Sequence, residues 1–415
     1  MHSNRRHFLA MAGMAAALPV LPAWATAETA TLAPMTGGAK PIGLAERQAR
    51  IAKAQALMKA RGLSALLVEA GSSLDYFTGI RWWRSERLTA AVIPVEGDVL
   101  VVTPAFEEPS IRESLAVPGD VRVWQEDESP FALIAGWLKE RRLNAGSIGI
   151  EETVRFFAVD GLRNAAPDAR IVDGSAVVRG CRMIKSAAEI ALMQIANDVQ
   201  VAAFRHVHPR IVAGMSQGDI DAMVIAASRA LGGQTDGGLV LIGESSAYPH
   251  GSDKPQRVAD GTVILFDAGV SVHGYQADIS RTMVFGAATQ RQRAVFEQMR
   301  QGQAVAFAAA RIGAEAGSVD DAVRAYYATL GYGPGYKLPG TSHRTGHGIG
   351  MDGHEPVNLV HGEKTRLAAG MCFSNEPGIY IPGAFGIRLE DCFHMTPAGP
   401  RYFSGPIESI DRPFG

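Results

Sequence analysis

Four carboxylates and one imidazole form one ordered set in the C-terminal half of the chain, the carboxylates beside apolar, strand-like runs and the imidazole among glycines: Asp267, Asp278, His347, Glu376 and Glu390. A strand that delivers a carboxylate into a core must also deliver something that neutralises it, because like charges gathered away from water repel strongly. Two adjacent hard divalent cations meet that demand, and oxygen-rich ligation with one imidazole suits them. The set therefore predicts strands that converge on one binuclear metallohydrolase site.

The local text supports convergence. The run Val263-Ile264-Leu265-Phe266 leads into Asp267, and Gly269 and Gly274 bracket a reversal into residues 275–282. A hairpin there places residues 11 apart opposite each other, which brings Asp267 and Asp278 onto one face. Phe373-Ser374-Asn375-Glu376 precedes Pro377-Gly378, and a second turn at Pro382-Gly383 leads back through Gly386-Ile387-Arg388-Leu389 to Glu390. Two such carboxylate pairs can surround cations about 3.5–4 Å apart, a spacing at which one water reaches both ions and becomes a nucleophile. His347 lies in Thr345-Gly346-His347-Gly348-Ile349-Gly350, where flanking glycines let the backbone approach closely. His343 and His354 stand nearby and can hydrogen-bond a substrate or a tetrahedral intermediate.

The rest of the chain has room for two cores, since 415 residues exceed one ordinary domain. Helical spacing over residues 45–60, strand-like runs at 65–68, 90–95, 99–103 and 148–150, and a helix-like stretch at 132–139 predict an α/β domain over residues 40–178. Ser186 with Glu189 forms a capping-box pattern that opens an Ala-rich helix to about residue 206. Further helices are expected over residues 217–231 and 289–312, within a second domain spanning 181–415.

Residues 1–27 read as a leader. Arg5-Arg6 precede an apolar stretch of about 12 residues, short of the roughly 20 that span a bilayer. Small residues around Ala25 and Ala27 follow, as in a twin-arginine export signal, so the expectation is a periplasmic protein with no membrane anchor after signal removal. Without the leader, 38 basic residues face 42 acidic ones. That balance gives no reason to expect a nucleic-acid partner. Cys181, Cys372 and Cys392 are too few for a disulfide scaffold and are expected as small buried hydrophobes.

Phe266-Asp267-Ala268-Gly269, Ala277-Asp278-Ile279-Ser280-Arg281-Thr282, the run from His343 to Glu355, Asn375-Glu376-Pro377-Gly378 and Arg388-Leu389-Glu390-Asp391 together resemble the pita-bread metallopeptidases. That group includes methionine aminopeptidase, aminopeptidase P and prolidase, with creatinase as a relative that lacks the metal set. The resemblance implies a creatinase/prolidase-like α/β N-terminal domain followed by an α+β pita-bread catalytic domain. It implies two divalent ions, manganese with cobalt or zinc as alternatives, a peptide substrate and a homodimer. Asp278 and Glu390 would bridge the ions, Asp267 would hold one, and His347 with Glu376 the other. Glu376 would also shuttle protons, with His250 and His354 assisting at the substrate, and His343 and Arg388 completing its pocket.

The implied activity is cleavage before proline, as an Xaa-Pro dipeptidase or an aminopeptidase P. A metal-dependent hydrolase of another amide or a phosphorus ester, and a periplasmic binding protein without catalysis, remain as alternatives. A dipeptidase needs a cation for the substrate's carboxylate, and Arg366 is one candidate. Trp82, Trp83 and Arg84 are expected either to reach a partner subunit's site or to serve packing.

Overall fold

The computed structural model describes residues 32–414, so the expected leader lies outside the described residues. The first unit contains α1 (Leu44–Arg61), β1 (Ala65–Glu69), α2 (Ser72–Thr78), β2 (Ala90–Pro94), β3 (Val99–Pro104), α3 (Glu108–Ser114), β4 (Gly119–Trp124), α4 (Pro130–Glu140), β5 (Ser147–Ile150), α5 (Phe156–Ala165) and β6 (Arg170–Asp173). The six strands form one mixed sheet in the order β4-β3-β2-β1-β5-β6. Strands β1, β2, β3 and β5 are buried along their whole length, as expected when apolar layers cover both faces. Trp137, Leu138 and Leu162 of α4 and α5 pack on one face. The other face joins a core that continues into the second unit through Leu192, Val199 and Phe266. The edge strands β4 and β6 went unpredicted because they are only partly buried and carry charged residues in their alternation.

The connection runs through α6 (Ser175–Arg182) to α7 (Ala187–Val207). Ser186 caps α7 as the sequence predicts: its Oγ accepts from Glu189 N at 3.2 Å, and Glu189 Oε2 accepts from Ser186 N at 2.8 Å. Such a cap contributes about 1 kcal/mol. There follow α8 (Gln217–Ala230), β7 (Gly238–Ile242), β8 (Val263–Ala268), β9 (Ser271–Val272), β10 (Tyr275–Gln276), β11 (Ile279–Val284), α9 (Gln290–Ala309), α10 (Gly317–Thr329), β12 (Gly346–Gly348), β13 (Glu355–Leu359), β14 (Cys372–Asn375), β15 (Gly378–Ile381), β16 (Phe385–Arg388), β17 (Asp391–Thr396) and β18 (Gly399–Tyr402). Helices α7 and α8 share a core with β8 and β11, while α9 and α10 pack on β14 to β17 through Phe296, Met299, Val323, Phe373 and Phe393.

Two antiparallel systems carry the acidic pairs. In β11-β8-β7, Ser280 rather than Asp278 lies opposite Asp267, and Ile279 lies opposite Ala268. Asp278 therefore sits two residues along, on the same face but diagonal to Asp267, which refines the expected direct opposition. At Gly269 the backbone passes so close to Ala277 that a Cβ would lie 2.3 Å from its carbonyl oxygen.

In the second system Asn375 pairs with Asp391, and beyond it Gly378 pairs with Arg388 in the same register. The ribbon is thus continuous in register but interrupted at Glu376-Pro377 and Leu389-Glu390, so both glutamates lie at the interruption. Glu390 N donates to Ser280 O at 3.0 Å, and Arg281 Nη1 donates to Glu390 O at 2.8 Å, which fastens the two systems together. The three cysteines are free and buried, as expected.

Candidate active site

The five predicted residues converge. His347 Nε2 lies 3.2 Å from Glu376 Oε1, 3.8 Å from Asp278 Oδ2 and 3.9 Å from Glu390 Oε1. Ligand-capable atoms of Asp267, Asp278 and Glu390 lie within 4.8 Å of one another, as do those of His347, Glu376 and Glu390. Glu390 belongs to both triads, the placement a shared ligand requires. His347 Nδ1 donates to Gly348 O at 3.0 Å, which leaves Nε2 facing the carboxylates: protonated it donates to Glu376, and deprotonated it offers a lone pair to a cation.

The electrostatics show that protein groups alone do not balance the site. Burial, reinforced by Asp267, pushes the Asp278 carboxyl up to about 7. Burial and the charges of Asp278, Glu376 and Asp267 hold Glu390 well above the usual carboxylate range. Its Oε1 is buried without a hydrogen-bond partner, a penalty of about 1–3 kcal/mol for an ordinary polar group and more for a charge. Glu376 is the exception: burial opposes ionisation, but its bond with His347 holds its carboxyl down at about 2. Oxygen-rich donors, one oriented imidazole and an orphaned buried oxygen fit divalent cations.

These groups line a cavity of about 350 Å³ together with His250, His343, Arg344, His354 and Arg388. Each residue expected at the substrate pocket is therefore at its wall. Arg388 forms an ion pair with Asp267 through Nη2, while Nη1 reaches Tyr380 Oη at 2.9 Å and Pro249 O at 3.0 Å. His343 Nε2 lies 2.7 Å from the same Tyr380 oxygen, and burial lowers its basicity, so a neutral ring accepts the phenol proton. The ring centroids of His354 and His347 are 4.0 Å apart. Burial and then the neighbouring His347 pull His354 down to about 4. His250 stands exposed at the cavity mouth.

Sequence reasoning missed Arg344, Tyr380 and Ser280. Arg344 lies beside the predicted His343 and reaches His354 Nδ1 from Nη2 at 3.2 Å. Ser280 follows Asp278 by two positions, hence on the same strand face, and its Oγ donates to Glu390 Oε2 at 2.8 Å. Strand alternation applied to polar as well as apolar residues was the available signal. Arg366 is elsewhere: it is exposed and donates to Gly313 O at 2.7 Å. Trp82 and Trp83 stack on each other at 5.0 Å, Trp83 stays exposed, and Arg84 donates to Ala70 O and Thr153 Oγ1.

Residues 191–397 match the model of metallopeptidase family M24, and residues 50–184 match the creatinase/prolidase N-terminal domain. The Xaa-Pro dipeptidase of Lactobacillus helveticus is 31% identical over 337 residues, covering 80% of this chain and 90% of that protein. The chain belongs to metallopeptidase family M24. It is an enzyme of metallopeptidase type, and the family works with divalent metal ions. Among solved structures, the prolidase of Thermococcus sibiricus superposes with a TM-score of 0.79 at 28% identity, covering 86% of this chain and 96% of that one. The dipeptidase of Pyrococcus horikoshii gives 0.78 at 29%, covering 87% and 99%.

The fold is thus the expected creatinase-type N-terminal domain and pita-bread catalytic domain, and the alternative of a non-catalytic binding protein falls. The periplasmic expectation is corrected as well. The matching relatives are named as dipeptidases or Xaa-Pro dipeptidases, aligned over 90–96% of their own length, and nothing in that similarity supports an export signal. The leader-like text therefore does not assign this chain a location.

Proposed function

We propose that this M24 enzyme is an Xaa-Pro dipeptidase that uses two divalent ions, manganese first among them. Asp267, Asp278, His347, Glu376 and Glu390 would hold the ions, with Asp278 and Glu390 shared. The observation that carries the reading is the convergence of these five groups, with an orphaned Glu390 oxygen, on one cavity. The named relatives and structural neighbours support the proline preference. We take residues 40–178 and 181–415 as the two domains, and a homodimer as the working assembly.

When bound, the ions supply Lewis acidity and acidify a water at neutral pH. The residues do the rest. Glu376 takes a proton from the attacking water and returns it to the proline nitrogen as the C–N bond breaks. His354 and His250 face the cavity where the carbonyl oxygen gains charge and donate hydrogen bonds to it. Arg388 and His343, joined through Tyr380, hold Asp267 and the cavity wall in place. Arg344 supplies the cation for the proline carboxylate, the role for which Arg366 is misplaced. A site with that cation favours a dipeptide over a longer chain.

The test loads purified protein with manganese, cobalt or zinc and compares Ala-Pro, Ala-Pro-Ala and Met-Ala. Cleavage of Ala-Pro above the other two is expected. Failure to cleave either proline peptide with any of the three ions would overturn the reading.

A further inference from the structure

A second cluster of buried charges lies between the two units. Arg182, at the end of α6, donates from Nη1 to Ser72 Oγ at 2.9 Å and Ser73 Oγ at 3.0 Å, both on α2 of the N-terminal unit. From Nη2 it reaches Asp352 Oδ2 at 2.8 Å and Glu355 Oε1. Lys185 Nζ takes the other Glu355 oxygen, Oε2, at 3.0 Å. Ser72 Oγ donates to Asp352 Oδ2 at 2.6 Å, so the loop 350–355 is held from both α2 and the interdomain connection. The same Glu355 Oε1 also accepts Met351 N at 2.9 Å and Asp352 N at 3.2 Å. One carboxylate thus fixes both ends of a short loop, and His354 is the residue before it.

The surroundings make the arrangement unforgiving. At Gly350 an added Cβ would lie 2.8 Å from both Glu355 Oε1 and Lys185 Cε, so the glycine is what lets the loop close over the cluster. A cavity of about 330 Å³ lies on the N-terminal side, lined by Glu151, Arg179, Arg182, His354 and Glu355 among others. His354 also lines the catalytic cavity, so its loop is the partition between the two spaces. A buried ion cluster is weak evidence for stability as such, but it fixes geometry when every partner is matched.

We propose that Glu355 is a positioning residue for His354, and that through Arg182 and α2 the N-terminal domain sets where that imidazole stands in the catalytic cavity. The inference rests on the reading of His354 as a group that touches substrate. It assigns the N-terminal domain a part in catalysis within a single chain.

The experiment is a double-mutant cycle. Glu355→Asp keeps the charge and shortens its reach by one methylene. It is measured alone and on a His354→Asn background, with metal content and Tm recorded for each variant. The substrate is whichever peptide of the panel the wild-type enzyme turns over, so failure of the proline reading shows in the wild type and failure of this inference in the cycle. Alone, Glu355→Asp is expected to lower kcat/KM by about 10–100-fold, the usual range for an outer-shell orienting partner, at unchanged metal content. On the His354→Asn background the same change should cost no more than about twofold, the limit of ordinary additivity. Arg182→Lys, which keeps the charge but loses the fork, repeats the cycle should Glu355→Asp fold poorly. A loss that persists in full without His354, a loss accompanied by lost metal, or no loss with either variant would overturn the proposal.

Discussion

The protein buries two ionic clusters, and they are built on opposite principles. Between the domains, Arg182 and Lys185 face Glu355 and Asp352, two charges against two, and every oxygen of Glu355 has a partner. There burial opposes ionisation of Glu355, but Lys185 and Arg182 outweigh it and hold the carboxyl down at about 2. In the catalytic cavity, four carboxylates share the wall with two arginines, Arg344 and Arg388, and of these two only Arg388 is ion-paired with one of the four, at Asp267. There the balance fails: burial and Asp267 raise Asp278 to about 7, burial and the neighbouring carboxylates hold Glu390 well above its usual range, and Glu390 Oε1 is orphaned. A completed cluster is a structural joint, whereas a buried surplus of one sign marks a place that binds something of the other sign.

The sharpest way to break this contrast is to remove Glu376, the carboxylate of the surplus cluster that its bond to His347 holds down. Glu376→Gln preserves shape but cannot carry the proton, and should lower kcat by about 10²–10⁴-fold, the range for a lost general base. Circular dichroism should show an intact fold. Activity within about tenfold of wild type would remove Glu376 from proton transfer. In the finished cluster the largest effect falls on stability instead. Glu355→Leu leaves Lys185 buried without its anion and Arg182 with Asp352 alone, and should destabilise the protein by about 3–5 kcal/mol in urea unfolding. A change below about 1 kcal/mol would show that the joint is solvated rather than buried.

A smaller effect is expected at the cavity mouth. Arg344→Met removes a charged hydrogen-bond donor from the proposed carboxylate site, worth about 1.5–3 kcal/mol. KM for Ala-Pro should rise by the corresponding factor of about 10–150 with kcat less affected. An equal rise for Ala-Pro amide, which has no carboxylate, would assign Arg344 another role.

The contrast also explains what the sequence made legible. All five donors could be named because the carboxylates stand beside apolar runs near turns and His347 among glycines, and local text records that. The capping box at Ser186 was legible from local text as well. The joint between the domains was not legible, because Arg182, Lys185, Glu355 and Ser73 are ordinary surface residue types until tertiary packing buries them together. Nor was the diagonal offset of Asp267 and Asp278, which depends on the small β9–β10 hairpin between them. Tyr380 was hidden in a strand that reads as apolar, although its hydroxyl joins Arg388 to His343.

The smallest expected effect separates the clusters most cleanly, because it reverses the usual sign of a buried-charge substitution. In protein stripped of metal by chelator, Asp278 has its carboxyl raised from 3.8 to about 7. A carboxyl raised on folding contributes stability that is full below the unfolded value and is lost as pH rises through the folded one. Glu390 is shifted in the same direction; His347, where burial lowers the imidazole but the bond to Glu376 raises it above 6.5, loses its favourable charge only as pH climbs past 6.5. Metal-free protein should therefore weaken between about pH 4 and pH 7, while the gain in Tm on adding manganese grows, since cations need the carboxylates deprotonated. Glu390→Gln removes one of the raised acids and should stabilise the metal-free protein at pH 7 by at least about 1 kcal/mol, roughly one pKa unit. It should abolish most of the manganese-induced rise in Tm. Neutralising an acid in the domain joint can only loosen it, so a metal-free Glu390→Gln protein less stable than wild type at pH 7 would mean that the catalytic cluster is balanced after all.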